Sequence, residues 1–388
     1  MMLNLRLAAC CMALTLAVPA TGSTEPVKTT HTSTNVLSID GVETYQWTQD
    51  DHQVKITTEG GKLELTDDWT GIARLTPGTK ARFEEDDGRT EHRLDVEAGR
   101  DGQPVYTWTV DGKERAFDAT GRQWLQDMLL RFVRGSGYDA DRRVAWFLKN
   151  QGPNGLLAEI SRISSDYVKS LYFQKLFAQR GLGADVVERS LRQAGQEIGS
   201  DYELAQTLIA AASAAGSQAL TEPAARTYAE AARSIESDYE QRRALSAMMA
   251  KGRPSPAVLA VTLQTAKGID SDYELAELLT SIPPNALGDG AVRRTYLEAA
   301  QSIDSAYEHH RALSAAVKSG KLSGDSLLAV LQSAQSISSD YERASLLVEI
   351  ADQYTLSGAA RDAYLQAASS IRSKYERGRA EEALKTGR

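Results

Sequence analysis

The stretch GIDSDYELAELL, from Gly268 to Leu279, decides the fold because it recurs in altered form along the chain. Its tyrosine has counterparts at successive intervals of 35, 37 and then 34 residues four times. The repeated tyrosines are Tyr167, Tyr202, Tyr239, Tyr273, Tyr307, Tyr341 and Tyr375. A period of this length indicates a supersecondary unit that is stacked on copies of itself.

The repeated letters predict the start of a helix in each unit. In a capping box, serine accepts the N–H of the third helical residue, and the glutamate there reaches back to the serine N–H. The aspartate that follows the serine in five of seven units would face the positive end of the helix dipole. The structural repeat residues are Ser200, Tyr202, Glu203, Ser237, Tyr239, Glu240, Ser271, Tyr273, Glu274, Ser305, Tyr307, Glu308, Ser339, Tyr341 and Glu342.

Two columns of residues predict how each unit packs. A large apolar residue follows the serine by eight positions in Phe173, Leu208, Leu245, Leu279, Leu313 and Leu347. A small residue near the end of the second helix recurs in Gly195, Ala232, Ala266, Ala300, Ala334 and Ala368. We expect the repeated tyrosine and isoleucine to pack between consecutive units. Residues 163–388 are therefore predicted to form an all-α, right-handed α-α solenoid of about six to seven 34-residue repeats.

The sequence ahead of the repeats predicts a second domain, so the fold class is a two-domain α+β protein. Residues 35–118 alternate apolar and polar side chains, and Asp-Gly pairs at Asp40 and Asp111 supply the positive φ angles of tight hairpins. We expect a small antiparallel β domain, a meander of six to eight strands with one apolar face. Connecting helices over 119–162 would cover that face.

The N-terminus has the pattern of a secretory signal peptide over residues 1–20, followed by a flexible tether over 21–34. Cys10 and Cys11 are the two cysteines of the chain, so the mature protein would carry no thiol chemistry. A lipoprotein cleavage box at Leu7–Cys10 would leave too short a hydrophobic region. We expect a periplasmic or secreted protein that is not transmembrane after signal cleavage and is not a lipoprotein.

Parts of the chain resemble known families. The 34-residue unit and the spacing of Ala360, Tyr364 and Ala367 resemble tetratricopeptide repeats. Residues 71–388 resemble a little-characterised group of bacterial exported proteins that combine a β-hairpin domain, here around Val110–Leu125, with helical repeats of SDY type. Similar modules occur joined to membrane metallopeptidases that resemble β-lactam sensors. The resemblance implies this architecture and a setting in the cell envelope.

Composition and motifs argue against several activities. The net charge of −8, without a basic run, disfavours nucleic acid as a partner. The five histidines, among them the adjacent His309 and His310, lack the spacing of a zinc peptidase, and we expect these two on the surface or in a groove. No serine stands in a Gly-x-Ser-x-Gly turn, and no phosphate-binding glycine loop is present. We predict a non-enzyme with no catalytic residue, metal or cofactor.

Basic residues four to six positions after the capping serines are the candidate partner-binding residues. They are Arg242, Arg243, His309, His310, Arg311, Arg343, Arg377 and Arg379. We interpret the chain as an envelope scaffold that holds a protein or peptide along the solenoid. The alternative for this basic line is a solvated face that pairs with nearby acids.

Two other functions stay open. All five tryptophans precede the repeats, so the β domain could bind a glycan or another ligand and act as an envelope sensor or regulator, although core packing is the simpler role for these side chains. A hydrolase with an unrecognised site near Asp139–Asn154 is the second alternative.

Overall fold

The architecture is an antiparallel β domain followed by α-helices. A computed structural model describes residues 32–39, 42–49, 52–214, 220–251, 254–322 and 324–387. These residues form two compact units, the first extending to Val168 and the second beginning at Lys169. The predicted signal peptide, His31 and the Asp40-Gly41 turn lie outside the described residues. The first strand begins at Thr32, three residues before the predicted start of the β domain.

The strands of the first unit follow one another as hairpins. Seven of them form an antiparallel sheet in the order β1–β2–β3–β6–β7–β8–β9. β4 and β5, which lie between β3 and β6 along the chain, form a separate two-stranded sheet. Asp111 and Gly112 both have positive φ in the turn between β8 and β9, as the Asp-Gly pair predicts. The strands are β1 (Thr32–Ile39), β2 (Val42–Gln49), β3 (His52–Glu59), β4 (Leu63–Leu65), β5 (Ile72–Leu75), β6 (Lys80–Asp86), β7 (Glu91–Ala98), β8 (Pro104–Val110) and β9 (Lys113–Arg115).

One face of the sheet is buried beneath the first helix, α1 (Ala119–Ser136). Alternate residues of the strands, such as Ile56, Phe83 and Leu94, point into a core that also contains Leu129 and other apolar residues of α1. The Asp118 carboxylate caps α1 by accepting the N–H of Thr120 at 2.9 Å. The prediction that a helix covers the apolar face is confirmed.

The β4–β5 hairpin is held by the second helix, α2 (Ala140–Ile160). Trp69, in the turn of that hairpin, is buried with φ of 57°, a conformation that costs a bulky residue free energy. Its indole N–H donates to Asp139 Oδ2 at 3.0 Å, and the Arg143 guanidinium lies 4.6 Å from its ring centroid. Glu159 in turn pairs with buried Arg143 and with Arg134, so the buried guanidinium has a carboxylate partner inside the unit.

The rest of the described chain consists of helices joined by short links. A single-turn 3-10 helix, Pro284–Gly288, lies in one of these links. The helices are α3 (Asp166–Phe177), α4 (Ala184–Glu197), α5 (Asp201–Ala214), α6 (Glu222–Arg233), α7 (Asp238–Lys251), α8 (Pro256–Ala266), α9 (Asp272–Thr280), α10 (Gly290–Ala300), α11 (Ala306–Lys318), α12 (Asp325–Ala334), α13 (Asp340–Gln353), α14 (Gly358–Ser369) and α15 (Lys374–Thr386).

Helices of the second unit contact the helix two places along the chain. The odd-numbered helices from α5 to α15 form one row of successive neighbours, and the even-numbered helices from α4 to α14 form another. The large apolar column, such as Leu279, and the alanines of the small column, such as Ala300, are buried, while Gly195 is half-buried. Each large column residue stabilises the fold by roughly 1.5–3 kcal/mol. No described helix has an apolar stretch long enough to cross a membrane.

Buried tyrosines link the two rows in every second pair of helices. Tyr228, Tyr296 and Tyr364 are fully buried on α6, α10 and α14. Each donates its O–H to a backbone carbonyl of the next odd-numbered helix, for example from Tyr296 to Ala312 at 2.8 Å. The buried tyrosine therefore recurs once in every two helical hairpins, whereas the capping serine recurs in each one.

The small-residue column generates a prediction about stability. A Cβ at Gly195 would lie 2.8 Å from Ala231 Cβ and 3.1 Å from its Cα, closer than packed atoms allow. Gly195→Ala is therefore expected to lower the free energy of unfolding by about 1–3 kcal/mol through overpacking between α4 and α6. Urea unfolding followed by circular dichroism measures the change.

Gly378 in α15 is the matched control, because nothing lies within 4 Å of a Cβ placed there. Gly378→Ala should raise stability by about 0.5–1 kcal/mol through helix propensity alone. Equal shifts for the two variants would show that the α4–α6 contact does not require glycine.

Candidate functional site

The first turns of the odd-numbered helices bring the repeated residues together. Ser271 Oγ accepts the N–H of Glu274 at 3.4 Å, and Ser200, Ser237, Ser305, Ser339 and Ser373 make the equivalent bond. Each serine thus satisfies one of the N–H groups that a helix start leaves without a partner. At Ser237, Ser271, Ser305 and Ser373 the serine N–H donates to an aspartate of the preceding unit, in place of the second bond of the predicted capping box.

The aspartate after the capping serine connects one unit to the next. Asp272 accepts the N–H of Ser305 at 2.7 Å and that of Asp304 at 3.2 Å, although both donors belong to the following unit. Asp201, Asp238 and Asp340 bond the next serine N–H at 2.7–2.8 Å. The Ser373 N–H holds the pKa of Asp340 below its ordinary value. The aspartate therefore acts between helices in addition to facing its own helix dipole.

The repeated glutamates form ion pairs with the basic residues of the candidate line. Glu240 pairs with Arg243 and Glu308 with Arg311, each at 2.6 Å. The same pairing joins Glu376 to Arg379, while Arg242 reaches Glu274 and His310 reaches Glu342 on the neighbouring helix. Much of the predicted basic line is therefore neutralised within the stack, as the alternative interpretation expected.

The repeated tyrosines are exposed, which corrects the prediction that they pack between units. The relative exposure of Tyr202, Tyr239, Tyr273, Tyr307, Tyr341 and Tyr375 runs from 48% to 74%. Tyrosine lies six residues before the buried apolar column, which turns it about 120° away from that column around the helix. This spacing is a signal from which exposure could have been predicted. We call these six residues the tyrosine ladder.

Arginine side chains lie against the ladder and link successive rings. The Arg243 guanidinium is 6.0 Å from the ring centroid of Tyr202 and 5.7 Å from that of Tyr239. Arg379 lies 5.7 Å from the Tyr341 ring, which belongs to the preceding odd-numbered helix. Distances of this size allow cation–π attraction. The ladder tyrosines of adjacent helices are therefore neighbours on one edge of the second unit.

Two of the candidate partner-binding residues are buried, and this corrects their predicted surface position. His309 is 2% exposed and bonds the Ser333 hydroxyl at 2.8 Å. Arg343 is 8% exposed and donates to the Ile337 carbonyl and, at 2.7 Å, to Ser370 Oγ. Both residues stand four positions after the capping serine, on the side that faces the even-numbered helices. Arg377, at the same position of α15, is half-buried.

His310 joins two carboxylates between α11 and α13. Its Nδ1 lies 2.5 Å from Glu342 Oε2, and its Nε2 lies 3.7 Å from Glu349 Oε1. Burial by itself lowers the pKa of His310, but the two carboxylates outweigh it and the net shift is upward. Burial raises the pKa of Glu349, yet bonds from His310, Ser314 and Lys318 hold it at about 2. This cluster is a structural contact between units.

The tryptophans of the β domain are buried or partly buried. Trp69 and Trp108 are in its core, and Trp47, Trp124 and Trp146 pack partly buried against it. The open face of the sheet carries cross-strand ion pairs such as Arg82–Asp95 at 2.6 Å. Near the predicted hydrolase region, Asp139 is occupied by Trp69 and Arg142. Among the described residues, no cluster of three His, Cys, Asp or Glu side chains has the geometry of a metal site.

A buried carboxylate of the β domain was missed by the sequence analysis. Glu85 is 7% exposed, and it accepts bonds from His52 Nε2 and Arg131 Nη2 at 2.6 Å each and from the Trp124 indole N–H. Three donors satisfy this carboxylate and tie α1 to the sheet. The alternation of β6 puts Glu85 in phase with Phe83 on the inward face, but the sequence does not show its donors, which come from distant parts of the chain.

Comparison with protein-family models, with curated proteins and with solved structures finds no match to this chain. The assignment of a function therefore depends on the geometry of the chain itself.

The bond between units generates a second prediction. Asp272→Ala removes the acceptor of two N–H groups at the start of α11, and we expect the free energy of unfolding to fall by about 1–2 kcal/mol. Ala306 occupies the corresponding position in α11 and cannot accept a bond from Ser339 N–H. Ala306→Asp should therefore stabilise the protein, and urea unfolding measures both changes. Loss of stability in Ala306→Asp would contradict this role of the aspartate.

Acid sensitivity is a third prediction. Burial lowers the pKa of His309 to about 4, whereas the unfolded value is 6.5. The unfolded chain binds this proton first, so the stability contribution of neutral His309 is present above pH 6.5 and is lost as the pH falls towards 4. Between pH 7 and pH 5 this group should lower the free energy of unfolding by about 2 kcal/mol.

His309→Gln keeps a polar group near Ser333 and should remove this part of the acid loss when urea midpoints are compared at pH 7 and pH 5. His310→Gln is the control with the opposite sign, because the raised pKa of His310 stabilises the protein below pH 6.5. If His309→Gln loses as much stability between pH 7 and pH 5 as the wild type, the acid sensitivity does not arise from His309.

Proposed function

We propose that this chain is a non-enzymatic binding scaffold that holds a protein or peptide partner along the tyrosine ladder. The observation that carries the proposal is the exposure of six tyrosines at the same position of successive helices. A tyrosine offers a large amphipathic surface that loses little conformational entropy on binding, and tyrosine is enriched in protein interfaces. Repetition of such a contact suits an extended partner.

The proposal is supported by the contrast with the buried tyrosines. Tyr228, Tyr296 and Tyr364 stabilise the fold, since each O–H donates to a backbone carbonyl inside the helical region. The ladder rings instead lie on the surface, where the sequence keeps tyrosine in every unit. Capping and the contact between units are supplied by serine and aspartate, so the fold itself does not require an aromatic ring at this position.

The architecture belongs to the same proposal. We interpret the two rows of helices as a right-handed α-α solenoid of about six to seven 34-residue repeats. Such a stack places one copy of each surface residue per unit on the same edge. Several weak contacts to one partner then add through effective concentration, because the second contact is intramolecular once the first has formed.

The cell envelope is the proposed setting. The pattern of a signal peptide over residues 1–20 supports export to the periplasm or beyond. The partner of the scaffold would accordingly be an exported protein or the exported part of a membrane protein. The basic residues Arg243, Arg311 and Arg379 would orient the tyrosine rings while remaining paired with glutamates.

Site-specific photo-crosslinking tests this function. A benzophenone amino acid replaces Tyr273 in the full chain expressed in an exporting bacterium, and the control replaces Leu365, an exposed apolar residue of α14. We expect discrete protein adducts from position 273 and few from position 365. Tyr239→Ser together with Tyr307→Ser should reduce the adducts from position 273 several-fold. Equal adducts at both positions, or none at position 273, would count against the scaffold.

A further inference from the structure

The ladder repeats at a distance that selects the conformation of its partner. Neighbouring helices pack with their axes about 8–10 Å apart. Because the tyrosines occupy the same position of successive helices, their rings repeat at about the same distance. Arg243 lies within 6.0 Å of two successive ring centroids, which agrees with this spacing. A partner that contacts every ring must offer an equivalent side chain at each such interval.

One regular backbone conformation matches this interval with every turn. The polyproline II helix rises 3.1 Å per residue with three residues per turn, so equivalent side chains recur about every 9 Å along one face. In a β-strand the side chains on one face recur about every 7 Å, and the third residue points to the opposite side. An α-helix advances about 5 Å per turn, so at most every second turn could meet a ring. A polyproline II segment therefore meets one tyrosine per turn.

The charges beside the central rings give the second property of the partner. Glu236, Asp270 and Asp304 are exposed residues directly before the capping serines of α7, α9 and α11. The arginines of α7 and α11 are paired with other carboxylates, Arg242 with Glu274, Arg243 with Glu240 and Arg311 with Glu308 and Glu277, and Lys267 pairs with Glu298. The exposed carboxylates stand one per unit, three residues before Tyr239, Tyr273 and Tyr307, and supply negative charge at the start of these helices.

We propose that the tyrosine ladder binds a proline-rich segment containing lysine or arginine, in the polyproline II conformation, with one turn per tyrosine. Prolines of the segment pack on the rings, as they do on aromatic-lined grooves in general. The basic side chains of each turn face Glu236, Asp270 and Asp304. This inference rests on the proposed scaffold function and names the class of partner for the same surface.

Synthetic peptides test the inference with the full chain. Fluorescence anisotropy measures binding of a labelled peptide of five Pro-Pro-Lys repeats. We expect this peptide to bind, and we expect the affinity of each of three controls to be lower by about tenfold or more. Pro-Pro-Glu repeats reverse the charge, Gly-Gly-Lys repeats lose the conformation, and Pro-Pro-Pro-Lys repeats with the same number of lysines lose the register. Equal binding of any control overturns the inference.

Variants of the chain locate the contact. Tyr273→Ser combined with Tyr307→Ser should weaken binding of the Pro-Pro-Lys peptide about tenfold, and Leu365→Ser should leave it unchanged. Asp270→Asn combined with Asp304→Asn should weaken binding and reduce its dependence on salt. All of these side chains are exposed, and circular dichroism checks that the variants fold.

The two failures are distinguishable. If position 273 forms specific protein adducts while the Pro-Pro-Lys peptide does not bind, the scaffold stands and the inference about its partner is wrong. If the peptide binds but the tyrosine variants bind it equally well, the ladder is not its site. Absence of both adducts and peptide binding removes the proposed function together with the inference.

Discussion

The helical region depends on hydrogen bonds that an aspartate of one unit makes to the start of the next, as at Asp201, Asp238, Asp272 and Asp340. Asp272 accepts the N–H groups of Asp304 and Ser305, so the α11 N-terminus is complete only when α9 lies beside it. Buried columns such as Leu279 and Ala300 contribute more free energy, but apolar contacts are not directional. The bonds of the aspartate fix the offset between neighbouring hairpins, and the columns stabilise the arrangement.

Helix geometry explains why four adjacent residues have four different roles. Successive residues of a helix point about 100° apart. In α9, Ser271 caps the helix, Asp272 turns to the next unit, Tyr273 faces solvent and Glu274 binds Arg242 of the preceding odd-numbered helix. Tyr307 is 58% exposed although Ala306, which makes no such bond, precedes it. The direction in which the helix turns, and not the bond of the aspartate, therefore exposes the ladder.

The units share a surface but differ in their interiors. His309 is a buried neutral group in α11, while Arg343 fills the corresponding position of α13 and bonds backbone and serine oxygens. The tyrosines Tyr228, Tyr296 and Tyr364 lock alternate hairpins only. Such differences make each unit fit its own neighbours, which favours a single order of packing. The tyrosine ladder can stay periodic because it lies away from these buried contacts.

The sequence by itself determined the antiparallel β domain, the helices that follow it and the starts of those helices. These features depend on local periodicity, on the Asp111-Gly112 turn and on capping serines, all of which act within a few residues. Only the tertiary structure decided which polar groups meet. The acceptor of the Ser305 N–H lies in another unit, the glutamates pair with arginines instead of closing capping boxes, and Tyr273 is exposed while His309 is buried. These outcomes depend on the offset between hairpins, a distance that no single helix specifies.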